Sequence, residues 1–304
     1  MTITSTSLFF DRAASRLNTL SGRTQTIQDQ ISSGKKLTAP SDDAVGYQRL
    51  QSIARGTADD VAWGKNITLA RTVLDQADTT LDSVANQLQK AQELVIQASS
   101  GTLSDGNRAV IATQLRGIVD DLVSLANSKD SRGGPLFGAA SGDTAVTRDA
   151  LGVVSFTGTG DPVSIPVGEG IAIQPSESAE RLFGGLASGG GTTDVFALLS
   201  TLATALAAGG SPGAAAGDAL NGVKASLDQV SNARGSIGAR GARLDLESAR
   251  LDATALTRES ERSSIEDTNL ATAIVELQKT STILQATQSS LAKLSSLSLF
   301  DYLR

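Results

Sequence analysis

Near the end of this chain a leucine returns every seventh residue, at Leu270, Leu277, Leu284 and Leu291. Ala273, Ile274 and Leu294 flank that row, and the rest of the segment from 263 to 304 is mostly Thr, Ser, Gln and Ala. Such spacing makes one apolar seam about six turns long, the pattern of a coiled-coil helix. A single helix with a thin seam cannot bury it on itself and is marginal in water. The other end of the chain carries the matching surface. Phe10, Leu17 and Ile31 share one heptad position, with Thr24 between them, and Ala13, Leu20 and Ile27 share the other. Head and tail are therefore expected to pair. The chain closes on Leu299, Phe300, Asp301, Tyr302, Leu303 and Arg304, an apolar tip of the kind that marks an assembly surface.

Between the ends the same period recurs. The first helix runs from about 8 to 33, with Gly34 as its stop and Pro40 forbidding continuation. Ser41 is the expected cap of the next helix, with Asp42 and Asp43 in its first turn. Around Gly56 to Gly64 the pattern loosens, which predicts a kink or break. Ile67, Leu74, Leu81, Leu88 and Val95 then hold one heptad position, and Ala70, Ala77, Val84, Ala91 and Ala98 the other. Five heptads at 1.5 Å per residue span roughly 50 Å. Gly101 stops this helix and Ser104 caps the next, where Ile111, Leu115, Ile118, Leu122 and Leu125 keep the spacing. The short connection predicts an antiparallel hairpin. Helix resumes near Asp218, with Leu220, Val223, Leu227, Val230, Ile237, Leu244 and Leu251 in period. Ser263 and Glu266 have the spacing of a capping box and are the expected start of the last helix.

The middle differs in character. Seventeen of the 30 glycines and five of the six prolines lie between 131 and 213. Val153–Thr157 and Val163–Val167 have the look of short strands between Gly, Asp and Pro turns, followed by a short apolar helix near 195–207 and a flexible return over 209–217. The expected fold is mainly α: an elongated antiparallel bundle or coiled coil built from both chain ends, with a small β-rich inserted domain. Three domains are expected, concentric in sequence. They are a terminal coiled coil (1–40 with 263–304), a helical rod (41–140 with 214–262) and a surface insert (141–213). The rod core is expected to comprise Ile67, Leu74, Leu81, Leu88, Val95, Leu115, Leu122, Leu227, Leu244 and Leu251.

Composition removes most chemistry. There is no Cys and no His, so disulfides, thiolate nucleophiles, imidazole bases and most zinc sites are excluded. The net charge of −6 offers no basic excess for nucleic acid. Residues 1–40 carry five basic and two acidic side chains, residues 141–213 two basic and seven acidic, so the middle reads as exposed. No apolar run is long enough to span a bilayer, and the start lacks the pattern of a cleaved leader. Ser33-Gly34-Lys35 fails as a phosphate loop, because Asp29 stands where the first glycine belongs and Lys36 where Ser or Thr belongs. The pairs Asp42-Asp43, Asp59-Asp60 and Asp120-Asp121 are sequence neighbours on helices and do not converge on one substrate. Asn66-Ile67-Thr68 falls inside a helix, so it is read as a chance glycosylation tripeptide. Neither catalysis, nor a cofactor, nor a metal is expected. What remains is a self-associating helical protein.

Several ordered motifs carry a resemblance. The run from Ile31 to Ala44, including Ser33-Gly34-Lys35 and Pro40-Ser41-Asp42-Asp43, is similar to a signature of the bacterial flagellin superfamily. Arg234-Gly235-Ser236-Ile237-Gly238-Ala239-Arg240 and Ser264-Ile265-Glu266-Asp267-Thr268 resemble two more. The similarity covers roughly 1–140 and 215–304. Within the superfamily, Leu294 to Leu303, Gly101 to Asp105 and Gly134 to Gly138 resemble the hook–filament junction branch, while the final Arg304 leans toward filament flagellins. The resemblance implies a structural subunit of the flagellum, exported unfolded without cleavage, whose ends become helical on assembly. It also implies its partners: further copies in a ring or helical layer, a preceding hook-associated protein, flagellin and an export chaperone. The alternative it leaves open is flagellin itself. The implied interface residues are Phe10, Leu17, Leu20, Ile27, Ile31, Leu270, Ile274, Leu277, Leu284, Leu291, Leu294, Leu299, Phe300 and Leu303.

Overall fold

A computed structural model describes residues 3–100, 102–138, 144–157, 160–188, 191–209 and 212–302; the side chains of 3–7 and 294–302 are outside that description. Four long helices dominate: α1 (Ile3–Ser33), α2 (Ala44–Ala98), α6 (Gly213–Glu266) and α7 (Leu270–Tyr302). Between them lie α3 (Asp105–Ala126), α4 (Ala179–Phe183), α5 (Val195–Ala207) and six short strands. The chain is mainly α with a small region of antiparallel strands, as its periodicity predicts. It divides into two compact units, residues 1–58 with 254–304, and residues 59–253.

In the unit of residues 59–253 one continuous apolar core runs from Ile67 to Leu251. The predicted heptad residues Ile67, Leu74, Leu81, Leu88, Val95, Leu115, Leu122, Leu244 and Leu251 are all buried, and Leu227 packs half-buried against them. The alanine row of α2, Ala70, Ala77, Ala91 and Ala98, is fully buried, leaving room for neighbours at close range. At Gly222 of α6 a Cβ would lie 2.1 Å from Leu198 Cδ1 of α5, so only glycine admits that approach. α3 starts where its cap was expected, with the Ser104 hydroxyl accepting from the Asn107 N–H.

The strands form three separate antiparallel hairpins. β1 (Val146–Arg148) pairs with β2 (Val154–Phe156), β3 (Ile165–Gly168) with β4 (Ile171–Ile173), and β5 (Leu186–Ser188) with β6 (Gly191–Thr193). β2 and β3 match the two strands legible in sequence; the other four are too short to show a period. No sheet closes among the described residues. The hairpins instead send Val146, Val154, Ile165, Val167 and Ile173 into the helical core. Phe183, Phe196 and the edge of Phe156 make an aromatic cluster there, with the Phe183 and Phe196 ring centres 5.1 Å apart. Asn127, just past α3, pins β1: its Oδ1 accepts from the Ala145 and Val146 N–H groups and its Nδ2 donates to the Val146 carbonyl.

Four local expectations fail. α2 does not break between Gly56 and Gly64. At Gly56 the missing side chain makes room for the Arg258 guanidinium, which donates to the Gly56 carbonyl, so the glycine serves a contact and the helix continues. Its cap is Asp43, accepting from the Val45 and Gly46 N–H groups, not Ser41. The return before α6 is shorter than expected, because helix already begins at Gly213. Ser263 and Glu266 do not open the last helix; α6 runs through them, and the break falls at 267–269. There Asn269 caps α7 by accepting from the Thr272 N–H. The proposed stop at Gly101 lies outside the described residues.

Candidate assembly surfaces

In the other unit, α1 and α7 pack as an antiparallel pair. The chain leaves α1 at Gly34, in the left-handed region with φ 72°, and leaves α6 at Asp267, and the two breaks lie side by side. The Lys36 N–H donates to the Glu266 carbonyl at 2.7 Å, and the Thr268 N–H to the Gly34 carbonyl at 2.8 Å. Each break thus satisfies backbone groups that the other helix end leaves open. Charges close the joint. Glu266 pairs with Lys35 and Arg262, and Arg262 also holds Glu259. The Lys35 hydrogen bond, reinforced by Arg262, holds the Glu266 carboxyl below the usual range. In the adjoining loop the Thr38 and Ala39 N–H groups do the same for Asp42.

The joint opens onto a groove of about 840 Å³. Leu37, Tyr47, Leu50, Ile53 and Ala54 from the first half of the chain line it, facing Ala255, Arg258 and Arg262. Ile53 and Leu37 are buried beneath it.

The α1/α7 seam follows the heptads read from sequence. On α1, Ile27 is buried and Phe10, Ala13, Leu17, Leu20 and Ile31 are half-buried. On α7, Ala273 and Thr280 are buried and Leu277, Leu284 and Leu291 half-buried. Arg23 and Glu276 form an ion pair beside the seam. Two predicted interface residues stand elsewhere: Leu270 is 49% and Ile274 45% exposed. With Val275 at 65% they make an apolar patch at the start of α7, and Phe9 on α1 is 49% exposed, edge-on to Phe10. The side chains of Leu294, Leu299 and Phe300, and all of Leu303, lie outside the described residues. Val275 was missed because it falls off the seven-residue row. Among the described residues no group of acidic side chains could hold a metal, and no helix is long and apolar enough to cross a membrane.

A two-helix pair made from both chain ends and closed by one double break, in a chain whose other unit is a helical core with small hairpins, defines a class of helical assembly subunit. The chain matches the bacterial flagellin N-terminal helical region over residues 5–141 and the bacterial flagellin C-terminal helical region over 220–303. It belongs to the bacterial flagellin superfamily. Within it, the chain is 29% identical to flagellar hook-associated protein 3 of Escherichia coli K12, over 90% of each protein. It is 27% identical to the protein of the same name from Salmonella typhimurium LT2, over 98% of each. A solved flagellar hook-associated protein from Vibrio parahaemolyticus shares the fold at 24% identity and a TM-score of 0.66, covering 74% of this chain and all of the other.

Proposed function

We propose that this chain is a structural adaptor of the bacterial flagellum, joining a hook-associated ring to the flagellin filament. It is exported unfolded, associates with further copies of itself, and orders its two ends as it assembles. The observation that carries this reading is the apolar surface left outside the α1/α7 seam. Leu270, Ile274, Val275 and Phe9 remain open after the pair has formed, and apolar area of this kind at a chain end is buried by a neighbour. Relatives named hook-associated protein 3 along nearly the whole length support an adaptor over a filament subunit. On this reading 1–40 with 263–304 form an inner layer, 41–140 with 214–262 the next, and the hairpin region the outer surface.

The test is a strain lacking this gene, complemented with the parent chain or with Leu284→Asp. The parent should appear as a narrow band at the distal end of the hook and restore swimming. The variant should leave bare hooks, with flagellin shed into the medium. Wild-type motility of the variant, or decoration of whole filaments by the parent, would refute the adaptor.

A further inference from the structure

No described residue of α7 lines the groove beside the double break. The lining comes from residues 35–57 and from the end of α6 over 255–266. Leu37, Leu50, Ile53 and Ala54 make one side of it apolar. Lys35, Arg258 and Arg262 stand around it with Glu259 and Glu266, three cations to two carboxylates. The patch at the start of α7 has the opposite balance, since residues 267–276 carry Asp267 and Glu276 and no basic side chain. Leu270 and Ile274 form one exposed row there, and Ala271 and Val275 the adjoining one, each pair four residues apart. At 3.6 residues per turn these rows centre on the side of α7 away from the buried Ala273 and Thr280. Another body can therefore cover them without entering the α1/α7 seam.

We infer that the α7 patch of one copy seats in the groove of the next. Leu270, Ile274 and Val275 leave water against Leu50, Ile53 and Ala54, and that apolar contact supplies the affinity. Asp267 and Glu276 come to the more basic rim. Glu276, Lys35 and Arg262 already have partners within their own copy, so the charges serve to set the orientation. Patch and groove are different surfaces, which makes the contact head-to-tail. Each copy gives its patch to one neighbour and receives the patch of another in its groove. Such a contact closes into a ring or continues as a helix, whereas a patch that met its own counterpart would stop at a dimer. The inference rests on the adaptor reading only for the presence of neighbouring copies, and it names the two faces that meet.

The chain has no cysteine, so introduced thiols report on this contact alone. Ala54→Cys lies on the groove and Val275→Cys on the patch, and both positions are exposed, so neither change disturbs an interior. The full chain with both changes is expressed in the strain lacking this gene. Isolated flagella are treated with a short bismaleimide and probed with an antibody to this chain on a denaturing gel. The double variant should give a ladder of covalent multimers. The two single variants expressed together, with one cysteine per chain, should give dimers and nothing larger, and either one alone should give monomer. Absence of multimers from both the double variant and the mixed singles would overturn the inference. Dimers from Val275→Cys alone would also overturn it, because patches would then be meeting each other. The position of the protein is read separately. A ladder from protein spread along whole filaments removes only the adaptor reading, and a narrow band at the hook without crosslinks removes only this inference.

Discussion

Single residues in this molecule act mainly as fasteners. Arg240 of α6 donates to the Gln174 and Ser176 carbonyls, both at 3.1 Å, and pairs with the buried Glu177. One guanidinium thus ties the segment after β4 to a helix 63 to 66 residues further along the chain. Its planar fork spreads donors over both carbonyls and the carboxylate, a reach that the compact ammonium of lysine does not match. Arg240→Ala leaves the Glu177 carboxylate buried, with only Arg181 nearby at 3.4 Å. We expect a loss of about 2–3 kcal/mol, the range for stranding one member of a mostly buried charged pair, read as a lower urea midpoint at unchanged slope. Arg240→Lys should recover less than half. Gly222→Ala tests the opposite kind of fit. The added carbon meets Leu198 and has to displace it, at a cost of about 1–3 kcal/mol typical of overpacking. The same urea titration measures it.

At the scale of elements, the joint between α1 and α7 carries a pH dependence. The folded state holds Glu266 below its ordinary value through Lys35 and Arg262. A carboxyl depressed on folding contributes its full stabilisation above the unfolded value and loses it as pH falls through the folded one. Protection of the Lys36 and Thr268 amides, which bridge the two breaks, should therefore stay level from neutrality down to the ordinary glutamate range. Below that range it should decline, after correction for intrinsic exchange. Glu266→Gln should start lower and show a smaller decline. This joint also marks where sequence reading gives out. The seams were legible because a seven-residue period repeats over many turns, and repetition averages out exceptions such as Thr24. The break at 267–269 has no glycine or proline. Its signals are Asp267 and Asn269, ordinary cap residues, and what makes them a boundary is the backbone of residues 34–36 from the far end of the chain. The break expected around Gly56 failed for the same reason, since a long-range partner, Arg258, decides the use of that glycine. Four of the six strands were hidden because three residues cannot display an alternation; β2, equally short, was legible only within the longer run Val153–Thr157. The apolar patch at Leu270, Ile274 and Val275 was half visible: two members lie on or beside the heptad row, and the third does not.

For the molecule as a whole, each of the two compact units has its own kind of interior, and the two kinds are unequal. Leu88 and Leu284 each lie on a seven-residue row and read alike in sequence. In the structure Leu88 is fully buried in a continuous aliphatic core, whereas Leu284 is half-buried in a two-helix seam. The same substitution should therefore have opposite consequences. Leu88→Asp forces a carboxylate into an apolar interior with no partner, a change on the order of 4–5 kcal/mol or more, and should abolish cooperative unfolding of residues 59–253. Leu284→Asp should leave that unit's stability within ~0.5 kcal/mol of the parent, as for substitutions outside a core, while removing helical signal from the terminal pair. The single tryptophan makes the comparison direct. Trp63 packs against the core of residues 59–253 and reports on that unit. Urea titrations followed by its fluorescence should superimpose for the parent and Leu284→Asp, and should lose their transition for Leu88→Asp. Circular dichroism should separate the parent from both variants. Equal loss of the tryptophan transition in the two variants would mean that both seams belong to a single cooperative core, and an assembly role reserved for the chain ends would then have no thermodynamic basis.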